Sequence, residues 1–106
     1  MDYPTFWLRY LRAHGRPATR AMHYTGTLLA LACLVAGGMV SAWFLPAAPV
    51  IGYAFAWTAH FRIEGNRPET YGHPVWSLWS DLRMLGLWAT GRLGPHLARA
   101  GVGQGG

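Results

Sequence analysis

The run AMHYTGTLLALACLVAGGMVSAWFLPAAPVIGYAFAWTAHF, residues 21–61, decides the fold. It contains no Asp, Glu, Lys or Arg, and it is bounded by Arg20 and Arg62. A helix crossing a hydrocarbon layer of roughly 30 Å needs about 20 residues. The run is too long for one such helix and suits two, joined by a tight turn. The expected first span covers about Ala21 to Leu45 and the second about Ala47 to Ile63, with the turn at Pro46-Ala-Ala-Pro49. On a helical wheel Gly26, Ala30, Leu34, Gly37 and Ser41 fall on the side of His23. Gly52, Ala56 and His60 share one face of the second helix. Small residues on facing sides let membrane helices approach closely.

The composition agrees. In 106 residues there are nine basic and four acidic side chains, and 52% of the chain is hydrophobic. A soluble domain carries about a quarter charged residues. All nine basic residues are Arg. The net charge of +5 invites a nucleic-acid reading. The arginines instead flank apolar runs, as the positive-inside bias places them, and no nucleic-acid motif accompanies them. The lone Cys33 excludes an internal disulfide and a multi-cysteine metal site. The first apolar run is too long for the core of a signal peptide, so cleavage is not expected.

Outside the run, Pro4 to Ala13 reads as a short helix with Phe6, Trp7, Tyr10 and Leu11 on one stripe and Arg9 and Arg12 beside it. Such a helix lies in the headgroup layer or packs on the bundle. Residues 14–20 read as a loop. Pro74 to Leu93 reads as an interfacial or hairpin-packed helix with Val75, Leu78, Leu82, Leu85 and Ala89 on one face. Asp81 and Arg83 make a full crossing expensive there. The expected organisation is one membrane-embedded all-α domain, residues 1–95, with a disordered tail, residues 96–106. A transmembrane helical hairpin forms its centre and amphipathic helices flank it.

A hairpin returns its start and its end to one side of the membrane. His23 near the start and His60 near the end therefore become neighbours, and His14 and His73 belong to the same side. Positive-inside makes that side cytoplasmic. Four histidines converging by topology point to a metal site, although imidazole alone does not choose among Zn, Fe, Cu and Ni. Glu64 lies four residues after His60. It either completes a two-histidine, one-carboxylate set or pairs with Arg62 or Arg67. Asp81 either orients a ligand histidine or sits in an ion pair. Arg67, Arg20 and Arg83 suit a carboxylate or a lipid phosphate. His96 reads as solvated. The motifs of zinc peptidases, P-loop enzymes, serine hydrolases and dinucleotide-binding folds are missing.

Phe6-Trp7-x-x-Tyr10-x-x-x-His14, His23-x-x-Gly26, Ala56-Trp57-x-x-His60-Phe61, Glu64-x-Asn66-Arg67-Pro68-x-Thr70 and His73-Pro74-x-Trp76-Ser77-Leu78-x-x-Asp81-x-Arg83-Met84 together resemble one small membrane family. It includes the fungal endoplasmic-reticulum 2-hydroxy fatty acid dioxygenase. Thr19 stands where that family often has Asn, and Glu69 where Ala is usual. The resemblance implies an Fe(II)-dependent, haem-free dioxygenase that uses O2 to shorten a 2-hydroxy fatty acid by one carbon. It implies His14, His23, His60 and His73 as the catalytic, metal-holding set, with Glu64 a further candidate ligand. Arg67, Arg20 and Asn66 are then the expected substrate-binding residues, and Asp81 and Arg83 the expected supports behind the ligands. The chain is similar to the short prokaryotic branch, which implies a bacterial inner membrane with the site facing the cytoplasm. The expected partners are a 2-hydroxy fatty acid, O2 and membrane lipid. A homo-oligomer is one way so small a chain can cover its site. The alternative is a non-enzymatic membrane protein whose histidines bind metal or handle protons or ions.

Overall fold

The computed structural model describes residues 1–67 and 72–102. The sequence features at Pro68, Glu69, Thr70 and residues 103–106 lie outside these. The described chain is all-helical: α1 Tyr3–Ala13, α2 Pro17–Met39, α3 Phe44–Thr58, a π-helical segment Ala59–Glu64, α4 Pro74–Ala89 and α5 Leu93–Ala100.

Each boundary has a local cause. Asp2 caps α1 by accepting from the Thr5 amide at 3.0 Å. Pro17 opens α2 at a position where a missing N–H costs nothing. The loop expected over residues 14–20 is therefore shorter, and helix begins before Arg20. The hairpin turn also moves. It falls at residues 40–43 rather than at Pro46–Pro49, because Pro46 is tolerated in the first turn of α3 and Pro49 is carried inside it. Gly37 permits the close return: a Cβ there would stand 2.3 Å from Leu45 Cδ2.

Helix α3 is only 15 residues long and passes directly into the π-helical segment at Ala59. Among the described helices, α2, with 23 residues, is the one long and apolar enough to cross a membrane. The small-residue faces meet as the periodicity predicts. A Cβ on Gly26 would lie 2.5 Å from Phe55 Cβ, and one on Gly52 would touch Ala30 Cβ at 3.5 Å. Away from this seam the hairpin is bare: Leu28, Leu29, Val35, Met39, Val40, Trp43 and Val50 are exposed.

The buried core sits at the other end. Phe6, Trp7, Tyr10 and Leu11 of α1 are buried against Tyr24, Met84, Leu93, Leu97 and Ala100. The α1 stripe thus packs on the bundle. Two expectations fail here. Residues 96–100 are not a disordered tail but part of α5, because Leu93, Leu97 and Ala100 recur at helical spacing and cover α1. His96 is not simply solvated; it accepts from Trp7 Nε1 at 3.1 Å. The apolar face of α4 points mainly outward. Ser77, Ser80 and Met84 are buried, whereas Val75 is 77% and Leu78 57% exposed. Two of the polar groups on the inner face have partners: Ser80 bonds Tyr3 at 2.9 Å, and Asp81 accepts from Tyr10.

Replacing Gly26 with Val should separate α2 from α3 and lower stability by about 1–3 kcal/mol, the usual range for overpacking. Thermal unfolding in detergent checks this. Gly38→Val, at a position with nothing within 4 Å of its Cβ, should change the midpoint little.

Candidate metal centre

Three helical segments deliver one histidine each. His14 ends α1, His23 lies two turns into α2 and His60 lies in the π-helical segment. All three are buried, at 0%, 5% and 2% exposure. Their ring centroids are 4.3 Å apart for His14–His23, 4.5 Å for His14–His60 and 5.4 Å for His23–His60. One ring nitrogen from each lies within 4.8 Å of those of the other two.

Two of the rings commit Nδ1 to a hydrogen bond, and the third holds it beside a carboxylate. His14 Nδ1 is 2.7 Å from the Tyr10 carbonyl oxygen. His60 Nδ1 is 2.7 Å from Asn66 Oδ1, and His23 Nδ1 is 3.4 Å from Asp81 Oδ1. An oxygen acceptor at Nδ1 selects the tautomer protonated there, which puts the lone pair on Nε2. His14 Nε2 and His23 Nε2 are buried with no hydrogen-bond partner among the described residues. Each orphaned polar atom costs about 1–3 kcal/mol, and folded proteins keep few of them without a reason. Burial, with His23 and His60 as neighbours, pushes the His14 pKa well below the ordinary imidazole value. The ring therefore stays neutral and keeps its lone pair. A divalent cation that accepts imidazole nitrogen fits this donor set.

The supports behind the ligands form a connected frame. The Asn66 amide also donates to the Ala13 carbonyl at 3.0 Å, so one side chain joins His60 to the end of α1. Gly65 makes this possible: at φ 74 it reverses the chain and returns Asn66 to His60. Tyr10 donates to Asp81, stacks on His14 at 4.1 Å and thereby couples two of the ligand supports. Burial raises the Asp81 pKa to about 7, against the lowering pull of the Tyr10 hydrogen bond.

Several sequence expectations land elsewhere. His73 does not join the cluster. It precedes Pro74 at the start of α4 and stacks on Trp76 at 5.0 Å, edge-on to Phe6 at 5.3 Å. Glu64 is not placed as a ligand and pairs with neither arginine in the described contacts. Its Oε1 accepts from the Arg16 amide and from Thr19 Oγ1 at 2.8 Å, so it closes the start of α2. Arg20 is buried and spends Nη1 on the His14 and Gly15 carbonyls, 2.8 and 3.0 Å away. Asn66, expected at the substrate, holds His60 instead. Arg83 lies 4.3 Å over the Trp7 ring rather than behind a ligand. Asp81 takes the supporting position beside His23, one of the two open expectations for it. Arg67 is exposed, next to Asn66. Tyr10 and Thr19 were not singled out as site residues. Spacing could have flagged Tyr10, four residues before His14; nothing local marks Thr19, whose partner lies 45 residues away.

Because Asn66 fixes the ring of His60, Asn66→Ala should weaken cobalt(II) or zinc(II) binding by about 10–100-fold while leaving helix content intact. A metal titration followed by circular dichroism checks both halves. Glu64→Gln, which keeps an acceptor for Arg16 and Thr19 and removes only the charge, should keep metal affinity within about threefold.

No curated protein and no solved structure matches the chain. A family model does, that of "2-hydroxy-palmitic acid dioxygenase Mpo1-like", over residues 1–93. With most of its length matched, the chain belongs to the Mpo1-like family.

Proposed function

We propose that this protein is an iron(II)-dependent dioxygenase that shortens 2-hydroxy fatty acids by one carbon at a membrane surface. The observation that carries the reading is the cluster of three buried imidazoles, two with Nδ1 hydrogen-bonded and the third with Nδ1 beside Asp81, with Nε2 of His14 and His23 left without a partner among the described residues. His14, His23 and His60 hold the metal; Glu64 and His73 do not. Three protein donors leave coordination positions for substrate and O2. Family membership supports the substrate class and the choice of iron over other imidazole-binding metals. Iron(II), when bound there, supplies O2 activation and the redox chemistry.

The chain's own groups do the positioning. Tyr10, Asp81 and Asn66 hold the imidazole rings in place, and the buried setting keeps bulk water from the ligands. Arg67, exposed beside Asn66, is the cation assigned to the substrate carboxylate. The α2–α3 hairpin sits in the bilayer with its bare apolar faces toward lipid, and the triad lies at the cytoplasmic interface. The exposed apolar face of α4 rests on the same interface.

The test uses protein purified in detergent, charged with Fe(II) under anaerobic conditions and given 2-hydroxyhexadecanoate and O2. The expected product is pentadecanoate. His23→Ala should lower turnover by about two orders of magnitude or more, the loss expected when a metal ligand is removed, and should lose iron. His73→Ala should keep its iron. Stoichiometric metal with no product across a panel of 2-hydroxy acids would instead favour a binding or ion-handling protein.

A further inference from the structure

A cavity of about 360 Å³ opens beside the α2–α3 seam, with α4 as its third wall. Its volume is that of a small-molecule site. One end is polar and holds His23 and Asp81. From there His23, Thr27, Ala30 and Leu34 line it at i, i+4, i+7 and i+11, one stripe of α2 about 16 Å long at 1.5 Å per residue. Ala56, Gly52 and Ala48 run antiparallel to that stripe on α3, and Leu78 and Leu82 cover it from α4. Beyond its polar end the groove is almost wholly apolar, so it offers little to a polar ligand. Leu34 is 48% exposed, so this is an open groove and not a sealed void.

We propose that this groove holds the hydrocarbon tail of the 2-hydroxy acid, with the acid head at the histidine cluster, and that Leu34, Ala48 and Pro49 at the far end set the chain length accepted. Two observations select this occupant. The groove is continuous with the candidate metal centre through His23, which lines its polar end. The Nε2 of the same His23 is buried without a partner among the described residues, so a polar ligand atom or a metal bearing one belongs there. A narrow apolar trough ending at a buried imidazole fits a single-tailed amphiphile. The identity of the head group rests on the dioxygenase reading; the tail site rests on the groove.

Chain-length profiles separate the two claims, because binding needs no turnover. Affinities of 2-hydroxy octanoic, dodecanoic, hexadecanoic and eicosanoic acids are measured anaerobically on cobalt(II)-loaded protein in lipid nanodiscs. For the unaltered chain, affinity should rise with tail length and then level off. Ala48→Leu, at the far end, should weaken the two longest acids by about tenfold, in the range expected for overpacking, and leave the shortest within about twofold. Leu34→Trp fills the same end from its exposed side and should give the same graded profile even if Ala48→Leu fails to fold. Ala56→Leu, near the histidines, should weaken every acid alike. A flat length dependence in the unaltered chain would place the tail in bulk lipid and overturn the proposal. So would equal loss across all acids in Leu34→Trp with cobalt retained. Graded binding here, together with no shortened acid from the iron(II)-loaded protein supplied with O2, would sink the dioxygenase reading and leave the tail groove standing.

Discussion

Three imidazole rings held in a nearly dry pocket make the demand that the rest of the chain answers. An unpaired lone pair away from water is costly, and two such nitrogens, on His14 and His23, sit side by side here. Bringing them together needs α1 to end where α2 begins to bury, and α3 to return to the same level. Gly15 and Pro17 give the first condition. The close seam of Gly26, Ala30 and Gly52 gives the second. Arg20 and Asn66 then bond the carbonyls at the end of α1, which fixes His14 relative to its neighbours. A metal in the pocket would convert this cost into binding energy, which is why the ligand geometry and the fold stand or fall together.

The distribution of apolar surface follows from the same arrangement. Packing is concentrated at the histidine end, where α1, α5 and the inner face of α4 bury aromatic and aliphatic side chains. The far end of the hairpin buries little beyond its own seam, and Met39, Val40 and Trp43 are 80%, 77% and 84% exposed. In water so large an apolar surface would drive association; in a bilayer it needs no further cover. The orientation of α4 makes the same physical sense. Ser80 and Asp81 find partners inside, while Val75, Leu78 and Trp79 face outward.

Much of this was legible in the sequence, for reasons that also mark where legibility ended. An uncharged run bounded by arginines reveals paired apolar helices, and hairpin geometry alone brings His14, His23 and His60 to one end. Small residues at helical spacing gave the seam. Proline misled in one place: Pro46 and Pro49 look like a turn, yet the first turn of a helix accepts proline and the close contact at Gly37 put the turn earlier. The π-helical turn at 59–64 was invisible, because nothing in the residues distinguishes five-residue from four-residue spacing, and nothing local showed that Glu64 meets Arg16 and Thr19 at the start of α2. Helix α5 was missed because a glycine-rich ending drew attention from Leu93, Leu97 and Ala100.

X-ray absorption on the iron(II)-loaded protein tests the central claim most directly, since it reads ligand identity without requiring turnover. The account predicts a first shell with three imidazole nitrogens, shown by their characteristic outer-shell scattering. It also predicts two imidazoles in whatever metal His60→Ala retains, and three still in Glu64→Gln. A first shell of oxygen with one imidazole or none, or one that changes on Glu64→Gln while His60→Ala leaves it untouched, would contradict the account.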